Sequence, residues 1–232
     1  AKIGWNPLVD SWFIRQLPKA GYIEKGEEKD FCNDEEKEFI HGLFNWLLPP
    51  ALYFILNHCV HPVPITSQEL VLSLLNLLDC TFDMKKEGLG SDHEKSLEGA
   101  FVLALVWTVG ACVNEDGRHK FDFYLRYLLN GGGAGNDYHD DFLSKNRDYD
   151  IEPRNCSCGL PDEKVGTVYD SCWNPKKCTW DFWLDLAPKY SIAKGTNFTD
   201  IMVPTIDTVR NAHFIETLLV HKHHVMTTGE TG

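Results

Sequence analysis

Residues 100–113 read Ala100-Phe101-Val102-Leu103-Ala104-Leu105-Val106-Trp107-Thr108-Val109-Gly110-Ala111-Cys112-Val113. The run is too short for a membrane span, which needs about 20 apolar residues, and suits a buried core helix. Leu97, Ala100, Phe101, Ala104, Leu105, Thr108 and Cys112 trace one helical stripe, and Val102, Val106 and Trp107 make the opposite side apolar as well. A helix apolar all round belongs at the centre of a fold. The other helices should therefore pack around this one.

Those helices can be read outward from it. Downstream, Asn114 caps a helix whose first turn carries Glu115 and Asp116 against the positive end of its dipole. Its face is Phe121, Leu125 and Leu128, and Gly131-Gly132-Gly133 ends it. Upstream, Leu70, Leu74, Leu77, Leu78 and Phe82 mark a helix entered through Thr66-Ser67, with Glu69 in its first turn. Residues 38–60 read as helix, break, helix, because Pro49-Pro50 should bend or end the first piece. Leu43–Val60 is a longer apolar stretch, but the proline pair, Asn45, Asn57 and His58 argue against a membrane helix there. Asn6-Pro7 opens a first helix that Pro18 stops. Between them, residues 24–38 carry eight acids against three lysines, the pattern of a solvated loop and helix start.

The character changes at Asn130. Residues 131–165 are rich in Gly, Asn, Asp and Cys without apolar period and read as linker or insert loop. Short strand-like pieces follow at Gly166–Tyr169 and Thr179–Leu184, joined by a turn at Trp173-Asn174-Pro175-Lys176-Lys177. Thr205–Val220 returns to helix, and His223–Thr228 reads as a strand running into Gly229-Glu230-Thr231-Gly232. Helix, strand and glycine turn are how an α/β nucleotide-binding domain begins. The expected fold class is α+β: a helical unit over 1–130, a linker over 131–165, and over 166–232 the incomplete beginning of an α/β domain.

Composition excludes more than it assigns. The 232 residues are 43% hydrophobic and 24% charged with a net charge of −12, so nucleic acid and anionic membranes are unexpected partners. No signal peptide is visible, and the chain reads as intracellular. Eight cysteines fall short of a disulfide scaffold, and Cys59, Cys80 and Cys112 sit in apolar helical patterns as small core residues.

Met226–Gly232 matches the first half of a phosphate-binding loop, whose glycines let backbone N–H groups cradle phosphate. The bland alternative is a C-terminal turn. Cys156, Cys158, Cys172 and Cys178 offer four thiolates for zinc, but the spacing fits no standard ribbon and free loop thiols are the simpler reading. His221, His223 and His224 are read as a polar lead-in to a strand, because alternate strand residues point apart. Neither a metal site nor a catalytic residue is expected. One alternative left open is a stand-alone helical interaction domain with a Cys-rich, zinc-bearing tail.

Several segments together resemble the dynein heavy chain family. They are Gly4-Trp5-Asn6-Pro7-Leu8 with Ser11-Trp12, Leu43-Phe44-Asn45-Trp46-Leu47-Leu48-Pro49-Pro50, and Leu105-Val106-Trp107-Thr108-Val109-Gly110. Further along come Asn114–Asp122, Gly166-Thr167-Val168-Tyr169-Asp170 and, most specific, Phe198–Arg210, in family order over nearly the whole chain. The resemblance implies a place in a ring of six AAA+ modules, from the lid of the second into the start of the third. It implies that Val203, Pro204 and Thr205 lie against the adenine of the third module's nucleotide, and that Gly229, Glu230, Thr231 and Gly232 begin its Walker A loop. It also implies ATP or ADP with Mg2+ in the parent motor, a minus-end-directed, ATP-hydrolysing microtubule enzyme. Neighbouring modules, microtubule and accessory chains would be the partners, and cilium or axoneme the location. The 232-residue chain alone is expected to be inactive, since the charged half of the phosphate loop is not within it.

Overall fold

A computed structural model describes residues 4–16, 34–83, 93–133, 135–187 and 203–226. Seven α-helices are described: α1 Asn6–Gln16, α2 Asp34–His58, α3 Ser67–Asp83, α4 His93–Thr108, α5 Glu115–Leu129, α6 Asp137–Lys145 and α7 Ile206–Val220. Strands β1 Ser171–Asn174 and β2 Thr179–Phe182 form an antiparallel hairpin with Trp173 opposite Trp180.

The centre is α4, as its double-sided apolar pattern requires. Every residue from Ser96 to Val106 is buried. Helices α2 and α3 and strand β1 pack on it, α1 lies on α3, and α5 lies on α2. Gly99 is what admits the hairpin: a Cβ at that position would fall 2.5 Å from Cζ2 of Trp173 and closer still to Cε2 and Cδ2. Segments Glu36–His58 and His93–Cys112 are long and apolar enough to cross a membrane, but 67% and 72% of their apolar windows are buried within this chain.

Helix ends follow the local chemistry. Thr66 and Glu69 close a reciprocal cap on α3, the Thr66 N–H donating to Glu69 Oε2 at 2.8 Å and the Glu69 N–H to Thr66 Oγ1 at 3.3 Å. The hydroxyl and N–H of Thr66 hold the Glu69 carboxyl below its ordinary pKa. Asn114 caps α5 by accepting from the Gly117 N–H at 2.9 Å. At the other end Gly131 and Gly132 take positive φ of 76° and 79°, and the Gly132 N–H returns to Tyr127 O.

Three expectations need correction. The Pro49-Pro50 break is absent: α2 runs unbroken through both prolines. Each proline removes one N–H, at about 3 kcal/mol in an isolated helix, yet residues 46–52 are all buried, and that packing outweighs the lost bonds. The 131–165 segment contains α6, capped by buried Asn136, whose side chain accepts from the Tyr138 and His139 N–H groups. Its core contribution is short, essentially Phe142 and His139, which is why no apolar period shows. Gly166–Tyr169 is not a strand. Thr167 and Asp170 build a capping box that winds Val168–Asp170 into a single 3-10 turn, and Trp183–Leu186 forms another after β2 without a side-chain cap.

Residues beyond α6 are fastened to the helices rather than loose. The Arg154 and Cys156 N–H groups donate to Leu128 O and Leu129 O, extending α5 with a short backbone ladder. Arg126, only 6% exposed, ties the segment down from inside. Its Nε donates to both carboxylate oxygens of Asp122, Nη1 to Pro161 O at 2.6 Å and Nη2 to Gly166 O at 3.2 Å. Asp122 Oδ1 also accepts from the Val168 N–H at 2.8 Å. Phe142, Ile151, Cys158, Tyr169, Trp173 and Trp183 thus join the same hydrophobic core as α1–α5.

Candidate functional site

The described part of the expected site is the entry to α7. Val203 is 64% exposed and Pro204 half-buried, together an apolar patch ahead of the helix. Thr205 is the N-cap: its Oγ1 accepts from the Thr208 N–H at 3.2 Å, while its own N–H donates to Thr208 Oγ1 at 2.8 Å. The hydroxyl and N–H of Thr205 therefore serve the helix, and Val203 and Pro204 are left as the apolar surface beside it.

Helix α7 is held by one half-buried stripe, Ile206, Val209, Phe214 and Leu218, at helical spacing against the core. Phe214 packs on Trp107 of α4 at 4.9 Å between ring centroids and on Trp183 at 5.5 Å. His213 meets the edge of Trp183 at 5.2 Å, and burial pushes its pKa below the usual imidazole range. Arg210 lies over the Trp107 ring at 5.3 Å and pairs with Asp207 one turn back. Trp183 is the fixed point of this cluster. It is fully buried and its Nε1–H donates to Tyr169 O at 3.1 Å, while the Tyr169 hydroxyl donates to Gly110 O at 2.7 Å. The chain of contacts runs from the end of α4 through Tyr169 and Trp183 into α7.

A cleft of about 240 Å³ lies between α7 and the hairpin, lined by Leu103, Trp173, Lys176, Asp181, Phe214 and Thr217 among others. Val203, Pro204 and Thr205 do not line it. The expected strand at 223–228 is not formed over its described part: Lys222 at φ 63° ends α7, and His223–Met226 carry no strand pairing. Gly229, Glu230, Thr231 and Gly232 lie outside the described residues. The two halves of the expected site are thus joined through α7, whose 15 residues span ~22 Å.

The cysteines divide into two kinds. Burial pushes the Cys59 and Cys112 thiols up to about 11, as core-like side chains. The four-thiolate grouping is not formed among the described residues; Cys156 and Cys158 converge instead with Glu98, and Cys172 and Cys178 stand apart on the hairpin and its turn. His221, His223 and His224 join no metal-ligating group among the described residues. Sequence reading missed Trp183, placed in a strand, and Asp122–Arg126, whose i, i+4 spacing was the available signal.

Two family models match in tandem from residue 40 onward. Residues 40–185 match the dynein heavy chain AAA lid domain, and residues 190–232 match the P-loop containing dynein motor region. Dynein axonemal heavy chain 3 of Homo sapiens is 27% identical over 249 aligned residues, covering 100% of this chain and 5% of the relative. Dynein axonemal heavy chain 1 of Homo sapiens is 28% identical over 239, covering 99% and 5%, and dynein axonemal heavy chain 12 of Rattus norvegicus 28% over 246, covering 100% and 7%. The chain thus spans about 5% to 7% of the length of these relatives. A helical α+β unit that fills the lid pattern and leads directly into the motor-region pattern belongs to the dynein heavy chain family.

Proposed function

We propose that this chain is the joint between two AAA+ modules of a dynein motor ring, transmitting nucleotide state from one to the next. In this reading residues up to about 185 are the lid of the second module and α7 is the first helix of the third. The observation that carries it is the seat of α7. The helix falls in the motor-region match, yet it rests on Trp107 and Trp183, which fall in the lid match. A helix clamped on the lid and leading to a phosphate loop converts lid rotation into displacement of the next site, as a rigid body.

Val203 and Pro204 suit one face of an adenine ring, being apolar and accessible, and Thr205 fixes where they stand. Gly229, Glu230, Thr231 and Gly232 would open the Walker A loop around the phosphates. MgATP bound there would supply the hydrolysis energy that drives conformational change. The parent would be an ATP-hydrolysing, minus-end-directed microtubule motor, and the axonemal names of its relatives favour a cilium or axoneme. Its partners would be the adjacent modules, the microtubule and accessory chains.

The test is Phe214→Ala in the parent motor. Microtubule-stimulated ATP turnover should fall at least ~10-fold, a barrier change of about 1.4 kcal/mol, while nucleotide affinity of the third module changes little. Stimulated turnover equal to the parent's would refute the coupling role. The 232-residue chain alone should show no turnover; measurable hydrolysis by it would refute the expectation that the charged half of the phosphate loop is required.

A further inference from the structure

Glu98 projects from the middle of α4 and is only 5% exposed, on a helix whose neighbours in sequence are all buried. A buried carboxylate is normally paired with a cation or bound to a metal. No lysine, arginine or histidine forms an ion pair with it among the described residues. Its partners are instead the Ser157 hydroxyl and the Cys158 N–H, which both donate to Oε2, at 2.6 and 2.8 Å. Beside it stand the thiols of Cys156 and Cys158, and the three ligand atoms lie within 4.8 Å of one another.

We infer that Glu98, Cys156 and Cys158 form a binding site for one thiophilic divalent cation, with Zn2+ the fitting ion. Two thiolates and a carboxylate are zinc's preferred ligand types, and a tetrahedral site with Zn–S of about 2.3 Å and Zn–O of about 2.0–2.2 Å has ligand edges of roughly 3.5–3.8 Å. The present spacing, 4.8 Å at most, exceeds that by about 1 Å at most. The frame is built to hold still. Cys156 is pinned to Leu129 O by its N–H at 2.8 Å, Asn155 bridges Asn130, and the two donors on Oε2 fix the carboxylate plane. Binding replaces the two S–H protons with two metal–sulfur bonds and releases both protons to solvent, leaving the fourth position to water. The bound ion, its charge balanced by the two thiolates, coordinates the Glu98 carboxylate directly and staples the 146–166 segment to α4. This inference stands apart from the nucleotide reading, since none of its ligands touches α7.

The experiment uses the untagged 232-residue chain, reduced and metal-free, titrated with Co2+ and with Zn2+ against a chromophoric chelator. One equivalent of Co2+ should bind with a thiolate-to-cobalt charge-transfer band, and Zn2+ should displace it with release of about two protons. Cys156→Ser and Cys158→Ser should each remove the site. Glu98→Gln keeps the acceptor and the shape and should weaken Zn2+ binding by about 10–100-fold. Cys172→Ser with Cys178→Ser should leave the affinity unchanged. Circular dichroism of each variant separates lost ligation from lost fold, and Glu98→Gln, nearly isosteric, carries the decision if a cysteine variant unfolds. Absence of saturable binding overturns the inference. So does binding that survives in Glu98→Gln at full affinity, or that the Cys172 and Cys178 changes abolish.

Discussion

Replacing Gly99 by alanine sets two known effects against each other with a decidable sign. In an exposed helix the change is stabilising by about 0.8–1.0 kcal/mol, because alanine loses less backbone freedom than glycine. At Gly99 the added methyl would fall 2.5 Å from Trp173 Cζ2 and closer to the two carbons of the indole fusion, Cε2 and Cδ2. Ordinary carbon contact is about 3.5–4.0 Å, so the ring or α4 must retreat by ~1 Å or more. Trp173 is 4% exposed, lies edge-on to Trp180 at 5.3 Å, and belongs to a strand paired at four positions, so it cannot swing aside alone. Overpacking of this kind costs about 1–3 kcal/mol, more than the helix gain. Gly99→Ala should therefore be net destabilising, by up to about 2 kcal/mol, read by urea unfolding followed through tryptophan fluorescence. Adding Trp173→Leu should restore part of the loss, since the smaller side chain vacates the contested volume. A Gly99→Ala chain more stable than the parent would refute the close approach of α4 and β1.

Two further perturbations follow from the same packing. His139 is 3% exposed, its Nε2–H donates to Ile151 O at 2.9 Å, and Nδ1 accepts from the Tyr124 hydroxyl at 3.2 Å, so the fold holds it neutral. Burial depresses its pKa, as it does that of His213; the unfolded chain binds these protons first, and stability falls as pH drops below about 6.5. Urea midpoints between pH 7.5 and 5.5 should show that slope, and His139→Gln should flatten it; an unchanged slope would exclude His139 as a contributor. Arg126→Lys keeps the charge but not the planar fork, stranding Pro161 O or Gly166 O, at a cost of about 1–3 kcal/mol. Limited proteolysis should then cut within residues 146–166 faster than in the parent chain, and equal rates would refute the fastening.

The sequence carried the helical centre plainly, because α4 is apolar on every side and the caps at Thr66 and Asn114 are local chemistry. Pro49-Pro50 misled because its local cost is real but smaller than the burial on either side, a tertiary term no window displays. Helix α6 escaped notice since a helix of nine residues resting on Phe142 and His139 shows no repeat. The phosphate-loop half of the candidate site was legible as a motif, whereas the seat of α7 was not. Trp107, Trp183 and Phe214 come from three elements far apart in the chain, and only the fold brings them to one place. Glu98 was hidden in the same way, inside a helix read for its apolar residues.

Arg126 has a mechanical consequence. Tension arriving through the hairpin reaches the 3-10 turn at Val168–Asp170 and the residues just ahead of it. There Asp122 holds the Val168 N–H, and Arg126 holds carbonyls at Pro161 and Gly166. Load is thus handed sideways to α5 through two side chains before it can peel the 146–160 segment away. Under pull, these bonds share the load. The segment is thereby braced along the side of α5 instead of hanging from its two ends.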